Sequence, residues 1–400
     1  MKSKKKRNII TKEKKNNKQI NNIHKNNQNE KIPKIIKLRD PGVDLIRLLY
    51  IYFIVIHHVL YQGNGLKKYS QYSRQLLIFR KSLTWHINGL ALISGIVGYK
   101  SNKYSNLLYL WLCVLFYALS IPIYFKKFRS NSIVNVNMSK EYFPVVFSKY
   151  WYFTQYFGMY LFLPIINKGI SLLSKSELKL VVVSTIGIFS FWRYLKNQKD
   201  IFHIEKGCSI LWFLTIFITG AYIGKYRIKY TGIKKLIYCL ICLIIFLFST
   251  ILYYKSCFNE LYFGNGYLQK KIVIILNKIT ANNYDSLLKI IQSISMTLFC
   301  LQLKYNKYLA KIITFFGPLS FAIYIIHINI IVSNNVLSKL FNNNPSNLTL
   351  HSAIILILLK ALKITIICLF IDYLRNLLFT TLRIRKICTF TEKIAIKLFG

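Results

Sequence analysis

Acidic residues are scarce in this chain. Its 400 residues include 12 Asp and Glu against 56 Lys and Arg, which gives a formal net charge of +44. Such a surplus can indicate nucleic-acid binding, but the sequence contains no zinc-finger or RNA-binding motif. The basic residues lie mainly in the two tails and between apolar blocks, as is typical of segments that flank membrane spans. We therefore predict a lipid bilayer as a partner and no nucleic acid.

A cysteine framework is also missing, although the chain has eight cysteines. Most of them fall inside apolar blocks: Cys113, Cys208, Cys239, Cys242, Cys300 and Cys368. The Cys239-x-x-Cys242 pair has no nearby His or acidic residue that would complete a zinc site. We interpret the cysteines as small apolar residues and expect no metal cofactor.

Apolar residues are rare at the start of the chain. Residues 1–40 are rich in Lys, Asn and Gln, and they contain too little apolar surface to fold or to form a cleavable signal peptide. By the positive-inside rule, this disordered basic tail is cytoplasmic and the first helix runs outward. We predict a membrane domain over residues 41–380 and a second basic cytoplasmic tail over residues 381–400.

Long apolar blocks dominate the rest of the sequence. The chain is 54% hydrophobic, and blocks of about 20 residues are long enough to cross a bilayer. We predict an all-α polytopic membrane protein, a bundle of about ten transmembrane helices. The predicted segments are 40–61, 82–99, 104–125, 151–167, 178–195, 206–226, 236–254, 286–303, 312–332 and 352–377. In the last, Asp372 and Arg375 are spaced to pair within the helix.

The first apolar segment carries ionisable residues, which are costly in hydrocarbon unless they are paired or functional. Arg47 and His58 are eleven residues apart, or three helical turns plus about 20°, so they share one face at a separation of about 16 Å. Asp44 lies on that face one turn before Arg47 and can pair with it. His57 points about 100° away, so we favour His58 as the working histidine. The alternative is that the polar stripe only holds helices together.

The pattern D-x-x-R, ten residues and then H resembles the start of the integral-membrane acyltransferase-3 family, in particular the subgroup similar to bacterial polysaccharide O-acetyltransferases. Asp44, Arg47 and His58 occupy the matching positions. Further similarities follow in the family's order: Ser94-Gly95, the aromatic residues from Trp151 to Pro164 with Tyr156 and Tyr160 among them, the stretch 206–226 with Gly207, Trp212, Gly220 and Tyr222, and Tyr324 with His327.

This resemblance implies an acyltransferase that moves acyl groups other than aminoacyl groups, with transfer of acetyl from acetyl-coenzyme A to a glycan or glycolipid as the expected reaction. It implies catalytic roles for Asp44, Arg47 and His58. It also implies substrate-binding roles for Ser94, Tyr156, Tyr160, Trp212, Tyr324 and His327. Many members carry an arginine-rich cluster where the third helix begins, but this chain lacks it. Lys100 and Lys103 are the expected replacements for binding the coenzyme A phosphates.

Alternative interpretations remain for several of these residues. A transporter would use Arg47, His58 and His327 to line a proton or solute path, although the two halves of the chain show no obvious repeat. A catalytically inactive relative would explain the missing arginine cluster. Trp151 and Tyr152 fit an interfacial aromatic belt, and His86 fits an interfacial histidine. We predict that the protein is a multi-pass protein of the plasma membrane or of an endomembrane.

Overall fold

The computed structural model describes residues 39–128, 141–195, 200–259 and 283–399. All regular secondary structure in these ranges is helical. The predicted disordered tail, apart from its last two residues, lies outside the described residues. In chain order the helices are α1 (Pro41–Tyr61), α2 (Gly65–Lys68), α3 (Ser73–Ser82), α4 (His86–Gly98), α5 (Tyr104–Phe128), α6 (Trp151–Leu161), α7 (Leu163–Leu172), α8 (Lys175–Leu195), α9 (Ile210–Tyr226), α10 (Gly232–Asn259), α11 (Leu287–Gln302), α12 (Lys307–Phe316), α13 (Ser320–Ile328), α14 (Ile330–Asn335), α15 (Leu350–Thr381) and α16 (Ile384–Phe399).

Five helical segments of the described chain are long and apolar enough to cross a membrane. They are Pro41–Tyr61, Tyr104–Phe128, Gly232–Tyr254, Lys307–Ile328 and Leu350–Thr381. The all-helical membrane fold is confirmed, whereas the count of about ten spans is not. One reason is that other predicted spans form shorter or divided helices: segment 82–99 contains the 13-residue α4, and segment 151–167 is split between α6 and α7.

Helix α1 lies at the centre of the bundle and contacts α4, α11, α12, α13 and α15. In its most apolar window 56% of the residues are buried, against 22% in the windows of α10 and α15, which therefore present most of their apolar surface outward. The first turn of α1 is closed by Asp40, whose carboxylate accepts a hydrogen bond of 3.0 Å from the Gly42 backbone N–H. The same carboxylate pairs with Arg227, just after α9, at 2.6 Å.

Glycines let α4 and α9 approach closely. A Cβ added to Gly95 would collide with the Phe217 carbonyl oxygen and lie 2.8 Å from the Ala221 nitrogen. A Cβ added to Gly220, on the facing helix, would collide with the Leu92 carbonyl oxygen. Close backbone approach of this kind is characteristic of helix packing in membranes. It holds the second half of α4 tightly against α9.

The predicted pair in α15 is present. Two guanidinium nitrogens of Arg375, Nε and the terminal Nη2, donate hydrogen bonds of 2.8 Å to Oδ1 and Oδ2 of Asp372 respectively. Tyr117 donates a 2.8 Å hydrogen bond to Asp372, and Arg375 donates one of 2.9 Å to the Tyr109 hydroxyl. These hydrogen bonds satisfy a buried ion pair that would otherwise be costly in an apolar bundle.

Most of the predicted C-terminal tail forms helix α16. Cys388 is buried, and Ile384 packs with it against Tyr109 and Phe379. The guanidinium of Arg385 lies 4.2 Å from the centre of the Tyr109 ring, a geometry that favours a cation–π interaction. Tertiary packing and this cation–π contact therefore attach the basic segment to α5 and α15.

Candidate active site

Four histidines from three helices form a continuous row. In order they are His86 at the start of α4, His57 and His58 in the last turn of α1, and His327 near the end of α13. The ring centres are separated by 6.3 Å between His86 and His57, 5.3 Å between His57 and His58, and 5.1 Å between His58 and His327. Adjacent rings are close to edge-on. The row joins helices that are far apart in the sequence.

Several ring nitrogens of this row are buried without a hydrogen-bond partner among the described residues. They are Nδ1 of His57, Nδ1 of His58, both nitrogens of His86 and Nε2 of His327. The other nitrogen of His327, Nδ1, contacts the carbonyl oxygen of Ile323. A carbonyl oxygen only accepts, so Nδ1 carries the proton and Nε2 of His327 presents a lone pair.

A cavity of about 60 Å³ lies along the row. Its lining residues are Ile54, His57, His58, His86, Ile87, Leu90, Trp151, Tyr152, Tyr284 and Tyr324. This lining contains imidazole, aromatic and aliphatic groups and no carboxylate. A neutral imidazole in such a cavity can act as a base or as a nucleophile towards an acyl group.

Aromatic rings shape the far wall of the cavity. The Tyr324 hydroxyl accepts a 3.3 Å hydrogen bond from the Tyr152 backbone N–H, and the two rings lie 6.0 Å apart. Trp151 and Tyr284 are nearly parallel, with an interplanar angle of 11° and a centroid separation of 6.0 Å. Trp151 and Tyr152 line this cavity, which the interfacial-belt interpretation does not anticipate.

Trp212 supports this wall from behind and is not itself among the lining residues. Its indole N–H donates a 3.0 Å hydrogen bond to the side-chain oxygen of Asn88. The Asn88 amide nitrogen in turn donates a 2.6 Å hydrogen bond to the backbone carbonyl of Tyr284. Trp212 and Asn88 are almost fully buried, with 1% and 2% of their surface exposed. The chain of bonds fixes Tyr284 against Trp151.

Arg47 and Asp44 lie at the opposite end of α1 from the histidines. Arg47 NH1 is 2.7 Å from Asp44 Oδ1, so the predicted intrahelical pair is present. The Asp44 side chain is 1% exposed and the Arg47 side chain 23% exposed. The partly exposed guanidinium can therefore meet a charged ligand while Asp44 holds its position.

The remaining predicted site residues lie away from the histidine cavity. Ser94 donates a 3.0 Å hydrogen bond to the Leu90 carbonyl within α4. Tyr160 packs against Tyr156 with ring centres 5.8 Å apart and donates a 3.2 Å hydrogen bond to the Lys103 carbonyl. Lys100 and Lys103 have exposed side chains in the loop between α4 and α5. The structure therefore divides the predicted site between the histidine cavity and a second group near the other end of α1.

A larger cleft of about 500 Å³ lies beyond the end of α1. Gln62 lines it one turn after His58, and Asn329 lines it two residues after His327. Asn329 donates a 3.0 Å hydrogen bond to the Tyr150 hydroxyl. Lys149 and Glu141, which form an ion pair, also line the cleft. Burial lowers the pKa of Lys149 from its ordinary value, and the neighbouring Glu141 opposes this shift.

Sequence reasoning missed three residues of the histidine cavity. His86, expected at the interface, is 2% exposed and lies inside the row. His57 was expected to point away from His58, yet both line the cavity, because the cavity extends around the end of α1. Tyr284 belongs to a predicted linker, and no pattern in that linker indicates a site. The feature of the sequence that could have indicated this cavity is the presence of histidines at the ends of two predicted segments, His58 and His86.

Among the described residues, no group of three or more His, Cys, Asp or Glu side chains could hold a metal ion. The rings of the row are side by side and do not converge on one point. Imidazole rings can carry out proton transfer and nucleophilic chemistry by themselves.

Comparison with known proteins identifies the family of the chain. Curated proteins and solved structures give no match to the chain. The family model described as an acyltransferase domain matches residues 40–371, which include α1 with Asp44, Arg47 and His58, and also His86 and His327. The members of this family are acyltransferases that transfer groups other than aminoacyl groups. The chain belongs to the acyltransferase-3 family.

Proposed function

We propose that the protein transfers an acetyl group from acetyl-coenzyme A to a hydroxyl group of a cell-surface glycan or glycolipid. The observation that carries this proposal is the position of His58, which lies in a cavity walled by aromatic rings and beside a large polar cleft. A hydroxyl-bearing acceptor and an imidazole base can meet at this point. The family membership supplies the reaction class.

His58 is the catalytic residue in this proposal. Its neutral imidazole removes the proton from the acceptor hydroxyl as the oxygen attacks the thioester carbonyl, or it first takes the acyl group and passes it on. In either route the acyl carbon–sulfur bond breaks, an ester forms at the acceptor oxygen, and the sulfur leaves as a thiol after taking up a proton.

Arg47, Lys100 and Lys103 bind the nucleotide end of acetyl-coenzyme A in this proposal. In coenzyme A an extended pantetheine arm separates the thioester from the nucleotide phosphates. Arg47 lies about 16 Å along α1 from His58, and it is held by Asp44. Arg47 neutralises charge on the coenzyme, while the exposed Lys100 and Lys103 bind its phosphates. In this proposal Tyr156, Tyr160 and Ser94 bind the donor between these groups and the cavity.

The acceptor occupies the cleft beyond α1. Gln62, Asn329, Ser333 and Asn334 supply amide and hydroxyl groups that match the hydroxyls of a sugar, and Phe147 supplies a ring for its C–H face. The one lysine and the one glutamate of the cleft pair with each other, so the lining favours a neutral acceptor. Tyr324 and His327 connect the cleft to His58.

The test is transfer of radiolabelled acetyl from acetyl-coenzyme A into membrane glycans, scored as label released by mild alkali. Membranes containing the wild type, His58→Ala and Arg47→Ala are compared at equal protein levels. The matched control is His351→Ala, because His351 is an exposed histidine on α15. We expect label with the wild type and His351→Ala, and a loss of about 100-fold or more with His58→Ala.

Absence of label above empty membranes, with several acceptor-rich preparations, would overturn the proposed function. Equal labelling by the wild type and His58→Ala would preserve the acyltransferase activity and remove His58 from its catalytic role. A transporter or an inactive relative would have no need of acetyl-coenzyme A, so binding of this donor to the purified protein separates the proposal from both.

A further inference from the structure

Four of the chain's seven histidines lie in the single row described above. A buried polar atom without a partner costs about 1–3 kcal/mol, and native proteins satisfy most such atoms. Five ring nitrogens of the row lack a partner among the described residues. If these rings had only a structural role, this free-energy cost would be incurred at each of the five nitrogens without any compensation.

Water can satisfy these nitrogens. The cavity along the row has a volume of about 60 Å³, and a buried water needs about 10–15 Å³ measured in this way, so about four waters fit. The ring centres are 5.1–6.3 Å apart. At this separation a single water molecule can form hydrogen bonds with both neighbouring rings. The row then becomes a continuous chain of hydrogen bonds.

The lining of the cavity makes a fixed charge on His58 unfavourable. An imidazolium in a buried apolar site is costly unless a counter-charge is present. None of the ten lining residues is acidic. A second cation is buried nearby: Lys289 is 0% exposed and donates to the Lys81 carbonyl at 2.8 Å. The protonated form of His58 is therefore unfavourable, and transfer of the proton to another group is favoured.

Imidazole is suited to passing a proton on, because it accepts at one nitrogen while it releases a proton from the other. The end of the row at His327 is set for this role. Its Nδ1 is bonded to the Ile323 carbonyl, and its buried Nε2 keeps a lone pair with no partner among the described residues, in a ring that lies 5.1 Å from the His58 ring. His57 and His86 extend the row in the opposite direction.

We propose that His86, His57 and His327, with bridging waters, form a proton relay for His58. The relay rests on the proposed acyl transfer. The proton leaves the acceptor oxygen for His58, is shared along the row while the acyl carbon–sulfur bond breaks, and ends on the departing sulfur as the S–H bond of the thiol. No oxidant or further reactant is needed. His58 remains the catalytic residue, and the other three histidines act through it.

The test uses the full chain in membranes and the acetyl-transfer assay described above. His86→Ala and His327→Ala are each expected to lower kcat by about tenfold or more, with the KM for acetyl-coenzyme A changed less than twofold. Imidazole added to the medium restores a large part of the lost rate in both variants. The matched control is Leu90→Ala, which enlarges the same cavity by removing an aliphatic side chain; imidazole leaves its rate unchanged.

A solvent isotope experiment on the wild type requires no variant to fold. A relay moves more than one proton, so the rate is expected to fall along a curve as the fraction of D₂O rises. His86→Gln, which keeps a polar side chain but cannot relay, is expected to give a straight line.

Four results would overturn the relay. A straight-line dependence on the D₂O fraction in the wild type removes it directly. Wild-type kcat in His86→Ala and His327→Ala removes it while leaving the proposed function intact, as does a loss that imidazole fails to restore. Absence of acetyl transfer by the wild type overturns the relay together with the proposed function.

Discussion

Gly317 lies directly against the buried carboxylate of Asp44. A Cβ built on Gly317 would come within 2.6 Å of Asp44 Oδ1 and 2.5 Å of its Cβ, closer than real side chains pack. Gly317 opens the 3₁₀ turn between α12 and α13, and Asp44 holds Arg47. The break in the late helix therefore makes room for the acidic residue of the first helix.

Gly317→Ala is expected to displace Asp44 and destabilise the protein by about 1–3 kcal/mol, the usual range for overpacking. Thermal unfolding of the detergent-solubilised protein measures the effect. Gly169→Ala is the control, because nothing lies within 4 Å of its new methyl group, and alanine is favoured over glycine in a helix. Equal melting temperatures for the two variants would show that the contact with Asp44 is unimportant.

Trp212→Phe is expected to cost about 1–3 kcal/mol, because it removes the indole donor and leaves the buried Asn88 oxygen unsatisfied. Acetyl transfer is expected to fall as well, since Asn88 positions Tyr284. Asn88→Ala should reproduce both effects. If the two residues act through one chain of bonds, the double variant loses clearly less than the sum of the single variants. If the losses in the single variants add up fully in the double variant, Trp212 and Asn88 do not act through one chain of hydrogen bonds.

Asp372→Asn leaves Arg375 buried without its counter-charge, and the expected destabilisation is about 3–5 kcal/mol. Unfolding in a denaturant series measures it. Asp40→Asn serves as the control, because the Asp40–Arg227 pair has side chains 26% and 22% exposed, so a much smaller effect, of about 1 kcal/mol, is expected. A similar loss of unfolding free energy in the two variants would show that burial of the Asp372–Arg375 pair does not increase its contribution to stability.

Lys100→Gln and Lys103→Gln are each expected to raise the KM for acetyl-coenzyme A by about tenfold or more while kcat changes little, because a charge-assisted contact to phosphate contributes about 1.5–3 kcal/mol and about 1.4 kcal/mol corresponds to tenfold. Initial rates at varied donor concentration provide the measurement. Lys67→Gln and Lys339→Gln replace exposed lysines elsewhere and should leave KM unchanged. An unchanged KM in the Lys100 and Lys103 variants would place the phosphates at other cations.

Local spacing was enough to predict part of the site. The Asp44–Arg47 pair and the Asp372–Arg375 pair each lie three residues apart on one helix, so helical geometry alone brings their side chains together. The resemblance to the acyltransferase-3 family, carried by Asp44, Arg47 and His58, is confirmed by the family match over residues 40–371. The roles of these residues in acyl transfer remain predictions.

Packing between distant segments decided the rest. His86 and His327 are 29 and 269 residues from His57 and His58 respectively, and only the fold of α4 and α13 against α1 aligns their rings. Tyr284 reaches the cavity because Asn88 and Trp151 hold it there. The sequence by itself determined that the chain forms apolar helices and which residues within a helix share a face, since those depend on neighbours within a few residues. The tertiary structure alone decided that His57, His58 and His86 share one cavity and that His327 lies beside His58, since both depend on contacts between helices far apart in the chain.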